Sequence, residues 1–340
     1  MAVSIQKTCD PFAKRYMNFG RYLTIVIPVL IKDASKALER IGLPSRDLYE
    51  LPTSTKRFPD GCHWRIEISG VERPSTLRAV IDESDRTGVP VHRLVSTVMG
   101  STLLPRAELR EFAQLAADAK MEVILTPGPR AVWDIGRQVS TPEGALSGVR
   151  FRGSDQLSYV IADIKRSIEI GFRGFLIVDE GLLWALNELK KVGEIPKEVK
   201  FKVSIFTGHA NPAGAKLLQN LGADTFNPVA DLTLPMIAAL RKAVDIPIDI
   251  HVCIFDSWGG FNRFYECPEL VRIAAPCYFK LEPGASIASL YRPWVNADNL
   301  GFLGREKVKQ AAIVRELVEK NCPEAKLSAR GPSDLAVPKL

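Results

Sequence analysis

Glu67, Asp179, His251 and Glu282 are three carboxylates and one imidazole, each near the C-terminal end of a short β-rich run. Brought together, they could hold Mg²⁺, Mn²⁺ or Zn²⁺, which would polarise a carbonyl or activate a water. Without a metal, the same carboxylates could work as acid and base. No local ligand motif such as H-E-x-x-H joins them. Lys280 stands two residues before Glu282, on the same face of a strand. A buried lysine can form a Schiff base, whereas a neighbouring carboxylate favours its charge. Catalysis is therefore expected from Glu67, Asp179, His251, Glu282 and Lys280, and metal ligation from the first four.

A second set could orient a substrate. Ser69, Thr126 and Asn227 end β-rich runs, as do Thr97 and Glu180. His209 and Asn211 lie in Gly208-His209-Ala210-Asn211-Pro212, where a helix begins and free N–H groups could meet an anion. Arg130 could clamp a carboxylate, as could Arg137, both in a segment (128–153) long enough to be a lid. The glycine-containing loops 257–260 and 283–286 suit either a phosphate or plain turns. Cys253, two residues from His251, reads as a thiolate nucleophile or as a small buried filler.

These residues need a scaffold that brings distant strand ends to one place. From residue 63 onward, β-rich runs at 63–72, 91–97, 121–127, 174–180, 201–207, 224–229, 246–254 and 277–282 alternate with helical patterns. Asn211-Pro212 marks a helix start, and Gly88, Gly171 and Gly222 mark stops. Eight β–α units imply a parallel sheet closed into a (β/α)8 TIM barrel of class α/β. A doubly wound open sheet is the competing architecture. No G-x-G-x-x-G follows the first strand, so neither nicotinamide nor flavin is expected.

Several strands alternate apolar with polar residues, as in Trp64-Arg65-Ile66-Glu67-Ile68-Ser69. The apolar set must meet the helices, so the polar set points into the barrel. Arg65, Lys202 and Asp249, early or midway in their strands, read as a structural ion-pair network. Groups nearer the C-terminal ends read as the site. His63 and His92, at strand starts, read as fold-stabilising.

Residues 1–60 form an arm and linker, with an apolar stretch at 22–31 and a helical stretch at 34–41, expected to cap the barrel bottom or to build a homo-oligomer contact. The barrel spans 61–322, and the proline-rich tail 323–340 is expected to run over the surface. With 46% hydrophobic and 25% charged residues, the chain can bury a large core. The net charge of +6 is scattered, with no basic run, which argues against nucleic acid and leaves a small-molecule substrate as the expected partner. The stretch 22–31 is too short to span a bilayer. Six cysteines without C-x-x-C spacing fit a reduced, cytoplasmic compartment.

The sequence resembles the bacterial peptidase U32-like group. The resemblance rests on Arg65-Ile66-Glu67-Ile68-Ser69-Gly70-Val71-Glu72, Thr126-Pro127-Gly128-Pro129-Arg130, Gly208-His209-Ala210-Asn211-Pro212-Ala213-Gly214-Ala215 and Phe226-Asn227-Pro228-Val229-Ala230-Asp231-Leu232-Thr233. It implies a barrel and a hydrolase. The cysteine-rich segment through which members of the group bind an iron–sulfur cluster has no counterpart here. The expectation is an enzyme acting on a small anionic or carbonyl-containing substrate at the barrel mouth, by hydrolysis. A divalent-metal-dependent C–C lyase or isomerase, and a non-catalytic metabolite-binding barrel, are the alternatives.

Overall fold

The computed structural model describes residues 32–96, 100–128, 150–286 and 297–340. Thr97, Arg130, Arg137, Cys9 and the apolar stretch 22–31 lie outside the described residues, as does most of the segment 128–153. The chain divides into two units, Met1–Asp47 and Leu48–Leu340. In the first, Lys32–Arg40 forms a helix, α1.

The second unit holds eight strands: Trp64–Ser69 (β1), Arg93–Ser96 (β2), Glu122–Leu125 (β3), Gly174–Ile177 (β4), Lys200–Val203 (β5), Thr225–Phe226 (β6), Ile248–Cys253 (β7) and Cys277–Leu281 (β8). They pair in chain order, all parallel, and β8 returns to β1, closing the barrel. Around them run Pro74–Thr87 (α2), Arg106–Asp118 (α3), Gly153–Ile170 (α4), Glu180–Lys191 (α5), Pro212–Asn220 (α6), Leu234–Ala243 (α7), Cys267–Ala274 (α8) and Ala297–Asn321 (α9). Proline in the first turn of α2, α6 and α7 costs no intrahelical hydrogen bond, and Gly88 ends α2 in the left-handed region at φ 64°. Outward strand residues such as Ile66, Ile68, Val252 and Phe279 are buried against this helical layer. Among the described residues, no helix is long and apolar enough to cross a membrane.

The predicted surface tail is instead built into the barrel floor. Leu327 bridges to Trp64 in parallel. Asp334 grips Arg65 through both carboxylate oxygens, at 2.9 and 2.7 Å. Glu122 accepts the backbone N–H of Ala336 at 2.7 Å. The reason is electrostatic: Arg65 is fully buried at the bottom of β1, and a buried guanidinium must be paired. Leu48–Asp60 packs on the same floor, where the Arg65 guanidinium lies 3.9 Å from the Phe58 ring centroid and 3.3 Å from Asp60. Ending the chain at Lys326 strips Arg65 and Glu122 of these partners. The expected loss is about 3–5 kcal/mol of stability, read from urea unfolding.

Candidate active site

With the floor sealed, the interior is ordered by height. Its middle layer is an ion-pair network centred on Arg93 of β2. The guanidinium pairs with Glu122, with Glu67 at 3.2 Å and with Asp249 at 3.0 Å, and lies 3.6 Å from the Tyr278 ring centroid. Lys202 pairs with Asp249 and, at 3.0 Å, with Glu67. Thr225 donates to Asp249 at 2.8 Å. All of these groups are at most 5% exposed. Asp249 and Lys202 are therefore structural, as expected, and Glu67 joins them. Burial raises the Glu67 carboxyl, but Lys202, Lys280 and Arg93 outweigh it and bring it down to about 2.

Above this layer the walls differ. Val95, Ile124 and Leu176 of β2 to β4 pack together as an apolar wall. The opposite wall, from β6 to β8 and β1, is polar. His251 Nε2 lies 2.9 Å from Glu282 Oε2, and Lys280 reaches Glu282 at 3.3 Å and Glu67 at 3.8 Å. Burial pushes Glu282 up, but Lys280 and the His251 hydrogen bond overcome it and hold the carboxyl at about 2. An ionised carboxylate only accepts, so Nε2 carries the imidazole proton and Nδ1 keeps its lone pair. Burial and the Lys280 charge bring the His251 imidazolium down to about 4, so the ring is neutral at pH 7.

Among the described residues, several buried polar atoms have no hydrogen-bond partner in the chain. They include His251 Nδ1, Glu67 Oε1, Ser69 Oγ, Thr126 Oγ1 and Asn227 Oδ1. The amide nitrogen of Asn227 is already used, donating to the Asp249 carbonyl at 2.6 Å. By strand alternation all five residues face inward, Glu67 from the middle layer and the other four from nearer the strand ends. Leaving such an atom unmet costs about 1–3 kcal/mol, so each of these atoms calls for a polar partner.

The rim carries a second histidine. His209 Nε2 lies 2.7 Å from Glu180, which Arg150 clamps through both guanidinium NH groups. A Cβ added at Gly214 would stand 2.5 Å from His209 Nδ1, so glycine there lets the ring lie flat on the start of α6.

Three expectations are corrected, and two readings that the sequence left open take their plainer form. Asp179 does not join Glu67, His251 and Glu282: β4 ends at Ile177 with Leu176 facing inward, and Asp179 caps α5 by accepting from Leu182 N at 3.0 Å. The predicted metal set therefore does not assemble, and among the described residues no three His, Cys, Asp or Glu side chains are grouped as ion ligands. The physical reason is that Arg93, Lys202 and Lys280 already neutralise Glu67 and Glu282 and that Asp179 is spent on the helix cap, so the donor set does not fit a divalent cation. Asn211, predicted to bind substrate, is exposed and caps α6 through Gly214 N at 3.0 Å. Cys253 does not share a face with His251. The register shifts between them, and its thiol meets Gln310 of α9 at 3.5 Å while burial pushes it up to about 12. The loop 257–260 offers no phosphate cradle, because the N–H groups of Ser257, Trp258, Gly259 and Gly260 all donate to backbone carbonyls.

Lys307 of α9 escaped the sequence reading. It is 1% exposed, and its Nζ donates to the Ser69 carbonyl at 2.5 Å. A signal was available: Leu300, Gly304, Lys307, Ala311, Val314 and Val318 form one stripe at helical spacing, and all are buried.

Both buried histidines make stability depend on pH. His92 accepts from Ile66 N at 3.0 Å through Nδ1 and contacts the Ser328 carbonyl at 3.0 Å through Nε2, an arrangement only the neutral ring can make. Burial brings its imidazolium to about 4. Unfolded, both rings protonate near pH 6.5. Their contribution is thus present above pH 6.5 and lost as pH falls towards 4, by on the order of 3 kcal/mol for each ring. The urea midpoint should drop between pH 7 and pH 4.5. A flat midpoint would contradict neutral burial.

No protein-family model matches the chain, and no curated protein matches it in sequence. Among solved structures it is similar to a U32 peptidase, at 17% identity over 67% of this chain and 96% of the other, with a TM-score of 0.39. It is also similar to the D-psicose 3-epimerase of Clostridium cellulolyticum H10 (12% identity, 75% of this chain, 96% of the other, TM-score 0.42). A truncated 3-deoxy-D-arabino-heptulosonate 7-phosphate synthase from Thermotoga maritima matches at 12% identity over 78% of this chain and 90% of the other, with a TM-score of 0.40. Such distant likenesses assign no residue role.

Proposed function

We propose that the chain is an enzyme that binds a small carbonyl-containing anion in the barrel mouth and moves a proton with His251. The observation that carries this reading is the unpartnered Nδ1 of a neutral imidazole, fixed through Nε2 by the Glu282 carboxylate. Nδ1 takes a proton from the carbon beside the carbonyl, and the adjacent Lys280 steadies the negative charge that develops. Ser69, Thr126 and Asn227 supply hydrogen bonds to the polar end of the substrate, and Val95, Ile124 and Leu176 accept its apolar part. The reaction class is isomerisation or C–C cleavage without a metal ligand set.

Hydrolysis is the second reading, favoured by the U32-like motifs in the sequence. Nδ1 would then take its proton from an attacking water. The two are separated by incubating the full chain in D2O with a panel of 2-oxo acids and, in parallel, with peptides and esters. The expected result is deuterium beside the carbonyl, absent with Glu282→Gln. Peptide or ester products without exchange would favour hydrolysis. Bound ligand without exchange or products would leave a binding protein.

A further inference from the structure

Lys307 is a buried amine that the proton-transfer reading leaves without a task. α9 delivers it from outside the barrel to the C-terminal end of β1, where Nζ meets the Ser69 carbonyl at 2.5 Å. The hydroxyl of the same Ser69 is fully buried and unpartnered, so a polar molecule is called for at that spot independently of the lysine. The charged and titratable groups whose fields act on Nζ are Glu282, Cys253, Glu72 and Lys280. The environment differs from that of Lys280, the lysine whose sequence position suggests a Schiff base. Lys280 sits between the carboxylates of Glu67 and Glu282, at 3.8 and 3.3 Å, and pairs with both, whereas among the described residues no carboxylate forms an ion pair with Lys307. Around Lys307 burial dominates, and it brings the ammonium down to about 8. Such an amine is unprotonated often enough to attack a carbonyl.

We propose that Lys307 is the carbonyl-condensing residue of this mouth, forming an iminium with the keto or aldehyde carbon of a small 2-oxo acid. This rests on the reading of the mouth as a carbonyl site. The nitrogen lone pair forms the C–N bond while the carbonyl π pair moves to oxygen, which takes up a proton. The carbinolamine then loses that oxygen as water. In net terms, the ammonium and the carbonyl become one iminium and one water, with no oxidant or reductant. The iminium nitrogen is an electron sink two bonds from the carbon beside the former carbonyl, the carbon from which a base such as His251 would take its proton.

The test uses the full chain with glyoxylate or pyruvate and sodium cyanoborohydride, followed by peptide mass mapping. The expected result is one dominant adduct, on the Lys307 peptide, exceeding any other lysine by about tenfold and growing as pH rises towards 8. Lys307→Arg keeps a cation for Ser69 but cannot condense; it should abolish this adduct while its thermal melt stays cooperative. His251→Gln should still trap. Adducts spread over surface lysines, an adduct centred on Lys280, or Lys307→Arg trapping like the wild type would each overturn the proposal. Trapping that fails while His251-dependent exchange persists removes the amine alone. Failure of both removes the carbonyl site with it.

Discussion

Arg93→Met is expected to cost about 3–5 kcal/mol of stability, the largest single loss within the barrel interior. The methionine fills much of the same volume, so a cavity contributes little. The cost comes from charge. Glu67, Glu122 and Asp249 all face this guanidinium, and none of them reaches solvent. Lys202 continues to serve Glu67 and Asp249, but among the described residues Glu122 forms an ion pair with Arg93 alone. Adding Glu122→Gln should therefore recover part of the loss, and a double-mutant cycle in urea measures the coupling. A single-variant loss below about 1 kcal/mol would mean that the network is hydrated rather than buried.

His251→Gln is expected to lower turnover by about two to four orders of magnitude, the range for removing a positioned general base. Glutamine can still donate to Glu282, so the carboxylate is not orphaned and the fold should survive. What disappears is the basic ring nitrogen. Since the imidazolium is held near 4, the wild-type rate should stay flat from about pH 5 to 7 on its account. A variant that retains rate would make the histidine a structural brace.

The alternation of apolar and polar residues made the barrel legible. Each strand must satisfy helices outside and neighbours inside, so Arg65, Glu67, Lys202, Asp249, His251, Lys280 and Glu282 could be assigned inward from period two alone. All of them are buried in the barrel. Arg93 and Glu122 went unnoticed because their strands offer only one charge each, before Leu94-Val95 and Val123-Ile124. Asp179 was misplaced because strand length is invisible to periodicity. β4 stops two residues before Asp179, and a carboxylate just past a strand is equally a helix cap. Cys253 was turned round by a single-residue register shift, which reverses the face of everything after it. The tail and Lys307 reach the barrel through tertiary contacts that span most of the chain. Nothing local in the sequence encodes such a contact, although a lysine on a buried helical stripe is a conflict worth reading.

The most direct test needs no substrate. The chain holds four histidines, His63, His92, His209 and His251, so ¹⁵N NMR of the labelled imidazoles can be assigned by single substitutions. The expected spectrum has His251 neutral from pH 7 down to about pH 5, protonated at Nε2 and bare at Nδ1. A ring that is cationic at pH 7, or that carries its proton on Nδ1, would contradict the general base.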